Sequence, residues 1–279
     1  MEEKIYHKID ELLNRREQAA VVTIVNATPG TPRKVGAKML VLPDGSITGT
    51  IGGGGLEKQL IEAAVKVCVD GTPVLINKDL SAATGEIGAV CGGQIAVFIE
   101  PILKTSLLYI FGAGHVGKAI ADFARHLEFS VNVIDDRPEW ANRENYPEPC
   151  RLWTGDVFKL ADDIKTDDNT YIIILTRSWK MDESVLKRVL RKKHAYIGVI
   201  GSKNKIKTHF ENLVALGFKN DDFKNVYAPV GIPIGAYSPH EIAISILAEI
   251  IAVQKGKRGS LPFLEGAIYD QQVGGRVSL

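Results

Sequence analysis

Two glycine-rich stretches have spacings that can hold a ligand. The first, TGTIGGGGLEKQL, covers residues 48–60 and sets Gly52, Gly53, Gly54 and Gly55 between a β-rich run and an amphipathic helical pattern. Glycines at a strand-to-helix turn leave the free N–H groups of the helix start uncovered, and with the helix dipole those groups attract an anion. Four in a row exceed what one tight turn needs, which favours a ligand. The alternative is a backbone that requires positive φ or a close crossing. Glu57, at the helix start, either complements the dipole or points into a site.

The second stretch, YIFGAGHVG, places Gly112, Gly114 and Gly117 at G-x-G-x-x-G spacing after an apolar run. The first glycine permits the turn, the second admits a pyrophosphate to the backbone, and the third lets helix and strand pack closely. His115 lies inside the turn. The next strand pattern ends in Asp135-Asp136, where an acid accepts a ribose hydroxyl, and Asp135 closes VNVID and is the better placed. The alternative is a related fold that keeps the turn without the ligand.

A thiol adds different chemistry. GAVCGGQIAVFIEP sets Cys91 before Gly92-Gly93 and a strand. Beside uncrowded backbone, Cys91 suits a nucleophile or a soft-metal or sulfur ligand. A free cysteine is also often a small buried hydrophobe, and spacing does not choose. Cys68, on the apolar side of its helix, and Cys150, at a strand start, read as structural. His126, His194, His209 and His240 show no partner spacing for a relay or metal site, and KRVLRKKH reads as a solvated helix face.

The elements that must position these residues fall into two patterns. Residues 4–18 read as a helix, 19–28 as a β-branched strand, and AKMLVLPDGSITGTI as a hairpin around Pro43-Asp44-Gly45-Ser46. Residues 56–69 repeat apolar side chains at helical spacing, and TPVLINKDL and GQIAVFIEP follow as strands. After Pro101 the chain alternates strands and helices, with strand candidates at 107–112, 130–135, 150–155, 170–176, 195–201 and 225–231. Continuous apolar runs suit strands buried on both faces. The expected class is α/β: a C-terminal Rossmann-like, doubly wound parallel sheet (105–279) with a smaller N-terminal α/β domain (1–104).

Composition narrows the rest. The chain has 279 residues, 45% apolar and 24% charged, as in folded globular proteins. Lys plus Arg is 34 against 33 Asp plus Glu, a net charge of +1 that gives no electrostatic case for nucleic acid or an acidic membrane. The N-terminus lacks the apolar core of a signal peptide, and EIAISILAEIIAVQ is interrupted by Glu241 and Glu249, so no membrane span is expected. Three widely spaced cysteines make no disulfide framework, which points to a reducing cytoplasm.

Several long motifs in order resemble the XdhC/CoxI family, the accessory factors of xanthine dehydrogenase and related molybdenum hydroxylases. They are GTPRKVGAKMLV, GTIGGGGLE and CGGQIAVFIEP, then LYIFGAGHVGKAIA, VIDDRPEWAN, YIGVIGSKNK and PIGAYSPHEIAISILAEIIA. The resemblance implies a chaperone that binds the molybdenum cofactor (molybdopterin), protects it during sulfuration and passes it to the hydroxylase apo-enzyme. It also implies a cysteine desulfurase as a further partner, and homodimerisation is expected. On this reading Gly52–Gly55, Glu57 and Cys91–Gly93 meet the cofactor, with Cys91 as the candidate metal ligand. Gly112, Gly114, His115, Gly117, Asp135 and Asp136 hold a phosphate, NAD(P) or a molybdopterin dinucleotide tail.

One departure matters. Where the family pattern is T-H-x-H-x-x-D, this chain reads TRSWKMD: Thr176 and Asp182 match, but Arg177 and Trp179 replace the histidines. A metal or proton-transfer role at that edge is in doubt, and Arg177 suits a phosphate instead. The competing readings are an NAD(P)-dependent oxidoreductase, which needs a proton donor the sequence does not offer, and an assembly module without a small ligand. A molybdenum hydroxylase itself is not expected, because the sequence is short for one and has no cysteine array for iron–sulfur clusters.

Overall fold

The computed structural model describes residues 2–31, 33–80 and 93–257. The chain divides into two units, Met1–Thr105 and Ser106–Leu279.

The first unit runs α1 (Glu2–Arg15), β1 (Ala19–Ala27), β2 (Lys38–Val41), β3 (Ile47–Gly49), α2 (Gly54–Asp70), β4 (Val74–Asp79) and β5 (Gln94–Ile102). The strands form an antiparallel sheet in the order β3-β2-β1-β5-β4. β1 lies at its centre, and its alternating side chains serve both faces. Ala20, Val22 and Ile24 pack with Leu56, Leu60 and Ala64 of α2, while Ala19 and Val21 pack with Ile5 and Leu12 of α1. Each of these larger aliphatic side chains stabilises by about 1.5–3 kcal/mol when fully buried. α1 stops three residues short of the helix expected over 4–18, because Arg16 takes the left-handed conformation (φ 56°). α2 begins two residues earlier than its apolar pattern suggests, at Gly54, and ends at Gly71, whose left-handed cap returns its N–H to the Val67 carbonyl.

The second unit runs β6 (Ser106–Phe111), α3 (His115–Ala124), β7 (Phe129–Asp135), β8 (Arg151–Thr154), α4 (Val157–Asp163), β9 (Thr170–Ile174), α5 (Trp179–Val189), β10 (Tyr196–Val199), α6 (Lys203–Ala215), β11 (Val226–Tyr227) and α7 (Pro239–Gln254). Its six strands are all parallel, in the order β11-β10-β9-β6-β7-β8. Alternation along the strands again divides the core. Leu108, Ile110, Val131, Val133 and Ile173 face α3 and α7, and Leu107, Phe111, Ile134, Ile172 and Ile174 face α4, α5 and α6. This is the doubly wound α/β arrangement expected from the sequence. β11 is much shorter than the expected run of 225–231, since Pro229 has no N–H to extend the ladder.

The winding direction reverses between β6 and β9, which lie side by side although four elements (α3, β7, β8 and α4) separate them in the chain. Ligands of open α/β sheets bind outside the carboxyl ends of the strands at such a switch point.

Candidate cofactor site

The glycine turn of the first unit is built around one carboxylate. Gly52, Gly53 and Gly54 all have positive φ, at 136°, 78° and 71°, so the run is glycine-rich first for conformational reasons. Glu57 turns back from the first turn of α2. Its Oε2 accepts the N–H groups of Ile51 (3.1 Å) and Gly53 (3.2 Å) and the hydroxyl of Thr50. Burial pushes this carboxyl up, but the Thr50 hydroxyl and the backbone N–H groups outweigh burial and hold it below its ordinary value. Glu57 thus shapes the turn. Thr50, its hydroxyl partner, is a residue that motif reading missed, and a hydroxyl seven residues before an acid is too weak a signal to find it. A Cβ on Gly53 would meet nothing within 4 Å, so open space lies against the turn at the start of α2.

Cys91 and Gly92 lie outside the described residues. Gly93 opens the segment that leads into β5 with φ 111°, and a Cβ there would stand 2.6 Å from the Thr28 Oγ1 and 3.0 Å from the Pro29 carbonyl oxygen. The position admits only glycine because the backbone crosses the end of β1 so closely; Thr28 Oγ1 accepts the neighbouring Gln94 N–H at 2.7 Å.

The glycine turn of the second unit divides its labour among three glycines. A Cβ on Gly112 would lie 2.2 Å from the Leu175 carbonyl oxygen, and one on Gly117 would lie 2.1 Å from the Gly112 carbonyl oxygen. Both glycines are packed shut. Gly114, at φ −73° and ψ −172°, would place a Cβ in open space, with nothing within 4 Å. The open glycine is the one at the N-cap of α3, where unpaired N–H groups gather. His115 is exposed beside it, edge-on to Trp140 with ring centroids 5.1 Å apart.

Asp135 and Asp136, adjacent in sequence, sit in different surroundings. The Asp135 side chain is 4% exposed. Its Oδ2 accepts the Ala113 N–H (2.7 Å) and Arg137 Nη2 (2.9 Å), and its Oδ1 accepts the Arg137 N–H (3.0 Å) and Nε (2.8 Å). Burial alone would raise this carboxyl; the Arg137 guanidinium and the Ala113 and Arg137 N–H groups reverse that and hold it below its ordinary value. Both oxygens are occupied by the chain's own donors, so the residue the sequence favours as ribose acceptor fastens the turn. Asp136 remains more open, at 30% exposure, with Oδ2 accepting Arg177 Nη2 at 2.7 Å. Arg137, which also lies over Trp140 at 5.3 Å, escaped the motif reading although it follows the two acids directly.

Gly112, Ile134, Asp135, Asp136, Val157, Thr176, Arg177 and Met181 surround a closely packed crevice at the carboxyl ends of β6, β7 and β9, too tight as it stands to admit a water molecule. At its edge Asp182 Oδ1 accepts both the N–H (2.8 Å) and the hydroxyl (2.7 Å) of Thr176. Burial raises the Asp182 carboxyl, and the Thr176 hydrogen bonds offset it only in part. Trp179 leans against His209 instead of replacing a histidine's chemistry, with centroids 5.8 Å apart. Cys68 and Cys150 are buried thiols whose burial pushes them up, as suits structural positions. Among the described residues, no three His, Cys, Asp or Glu side chains are grouped to hold a metal ion, and no helix is long and apolar enough to cross a membrane.

Fold and site together define a protein with a Rossmann-type unit whose glycine turn is open at its middle glycine. The comparison with known families is more specific. Residues 108–250 match the XdhC Rossmann domain, and residues 12–78 match the XdhC and CoxI family. The chain belongs to the XdhC family. It is 35% identical over 246 residues to the uncharacterized protein YqeB of Escherichia coli, in an alignment covering 87% of this chain but 44% of that relative. It therefore spans less than half of that protein's length. A protein of Bacillus subtilis named as a probable xanthine dehydrogenase component is 24% identical, with 88% of this chain and 96% of that one aligned. The molybdenum cofactor insertion chaperone PaoD of Escherichia coli is 25% identical, with 88% and 86% aligned. Among solved structures, one described as a xanthine dehydrogenase from Bacillus halodurans shares the fold, with a TM-score of 0.51, 24% identity, and 92% of this chain and 98% of that one covered.

Proposed function

We propose that this protein is an accessory factor that binds the molybdenum cofactor, assists its sulfuration and inserts it into a xanthine dehydrogenase-type hydroxylase. The carrying observation is the XdhC match to both halves of the chain, which includes both glycine turns. The relative named as an insertion chaperone supports the same reading. The open backbone at Gly53 and at Gly114 supports ligand contact at each turn.

In this reading the turn Gly52–Gly55, held by Glu57, lies against the cofactor, with the N–H groups of Gly54 and Gly55 as donors to its oxygens because those of Gly52 and Gly53 are taken by Thr50 and Glu57, and Cys91 with Gly92 and Gly93 presents a thiol to its soft metal end. The cofactor, when bound, supplies the molybdenum centre that the client enzyme uses. The chain supplies binding, orientation and shielding. In the second unit, Gly112, Gly114, His115 and Gly117 receive a phosphate or pyrophosphate, and Asp135 and Asp136 border the nucleoside end of a dinucleotide, whether a molybdopterin dinucleotide or NAD(P). A cysteine desulfurase as sulfur source, a homodimer as the working form, a domain boundary near residue 104 and a cytoplasmic address belong to the same proposal.

The test is delivery. The purified chain, loaded with molybdenum cofactor, is mixed with cofactor-free hydroxylase, and hydroxylase activity is followed. Faster recovery than with the same cofactor free in solution supports the chaperone. Recovery no faster than with free cofactor, together with NAD(P)H turnover by the chain alone, supports an oxidoreductase instead.

A further inference from the structure

We propose that the outward face of α7 is the surface through which two copies of this chain pack, antiparallel and about a two-fold axis at Ala248. This rests on the reading that a homodimer is the working form, and it names the residues that make it.

α7 carries apolar residues on all its sides, and a helix of that kind is normally buried all round. Its inner side is accounted for. Ala243, Ile246, Leu247 and Ile250 pack into the core of the second unit. Glu249, the acid on that side, is buried and accepts the Tyr196 hydroxyl (2.7 Å) and the Gly231 N–H (3.0 Å). The outer side is not the polar face that water would call for. Ile244 is 50% exposed and Ile251 is 37% exposed, with half-buried Ala248 between them. At 3.6 residues per turn the three stand within about 60° of one another around the axis. They form one stripe along the helix, where single scattered apolar residues would need no explanation.

The stripe is complementary to itself. Two antiparallel copies crossing at Ala248 set Ile244 of each against Ile251 of the other, the reciprocal contact that a two-fold interface requires. A small residue at the crossing lets the two helices approach closely. The charges follow the same axis. Glu241 stands seven residues before Ala248, and Lys255 stands seven residues after it. Both are exposed. The antiparallel pair therefore brings each carboxylate beside the other copy's ammonium, whereas a parallel pair would set acid on acid and base on base. Glu241 Oε2 accepts the Tyr237 and Ser238 N–H groups (both 2.8 Å) at the helix start, which leaves its other oxygen for the lysine. The positive start of each helix also meets the negative end of the other. This symmetry of spacing and charge favours a second copy over an unrelated protein.

The experiment is sedimentation velocity on the full chain, native and substituted. The native chain is expected to be a dimer at about 10 µM. Ile244→Asp is expected to raise the dimer dissociation constant at least about thirty-fold, and Lys255→Glu a few-fold. Ile244 is half exposed, so its variant is expected to melt like the native chain. Ala248→Cys tests the same contact without adding charge: with copper phenanthroline as oxidant it is expected to give a disulfide-linked dimer, because only a residue at the two-fold axis meets its own copy. Val214→Cys, exposed on α6, is not. A native chain that stays monomeric at about 0.1 mM overturns the proposal and leaves the stripe to another occupant, residues 258–279 of this chain or a different protein. A native dimer that Ile244→Asp leaves intact, with no cross-link in Ala248→Cys, overturns the surface and keeps the homodimer. No cofactor enters this experiment, so neither failure touches the cofactor reading, which the delivery test decides.

Discussion

At the scale of single residues, chemically similar neighbours do unlike work. Gly114→Ala meets no atom and needs no strained φ, so the melting temperature is expected to stay within about a degree while phosphate-bearing ligands bind more weakly. Gly117→Ala drives a methyl into the Gly112 carbonyl, and a loss of at least about 1–3 kcal/mol is expected in a denaturant titration. Equal melting of the two variants would contradict this division. Asp135 and Asp182 make a second contrast. Asp135 is held below its ordinary value, so its contribution is present above the unfolded value and is lost as pH falls through the lower folded one. Asp182 is raised, so its contribution is greatest below the unfolded value and is lost as pH rises through the higher folded one. Asp135→Asn is therefore expected to cost about 2 kcal/mol at neutral pH, most of which disappears in acid. Asp182→Asn keeps an oxygen for Thr176 and is expected to be within about 1 kcal/mol of native at pH 7. Urea unfolding at pH 7 and pH 3 measures both.

At the scale of elements, glycine turns depend on what holds them. Glu57 gathers Thr50, Ile51 and Gly53 at the start of α2, and Glu57→Ala leaves those backbone donors without their acceptor. The expected cost is about 1–3 kcal/mol, with faster hydrogen exchange at Ile51 and Gly53 but not at the far end of α2. Unchanged exchange there would show that the glycines hold their shape alone. The second unit is the more legible in sequence, because strands buried on both faces leave continuous apolar runs such as YIIIL, and because G-x-G-x-x-G marks the turn. Its boundaries are not legible where hydrogen bonding decides them, as at Pro229. The site is legible in part. The glycines announce a turn, but which of them is open depends on where Leu175 passes, and no local pattern records that. The saturation of Asp135 depends on Arg137 folding back two residues onto it, which leaves Asp136 as the accessible acid.

At the scale of the whole molecule, the chain joins an antiparallel sheet and a parallel one, each with a strand-to-helix turn rich in glycine. In a member of the XdhC family, that pairing gives each unit a turn with open backbone, at Gly53 and at Gly114, as the proposed cofactor handling requires. The most direct measurement is a calorimetric titration of the full chain with molybdenum cofactor, repeated with Cys91→Ala and Gly114→Ala, and run alongside NADH and NADPH. The account predicts tight cofactor binding that Cys91→Ala abolishes, with nicotinamide nucleotides held more weakly. Tight nicotinamide binding lost in Gly114→Ala, with no cofactor binding by the native chain, would contradict it.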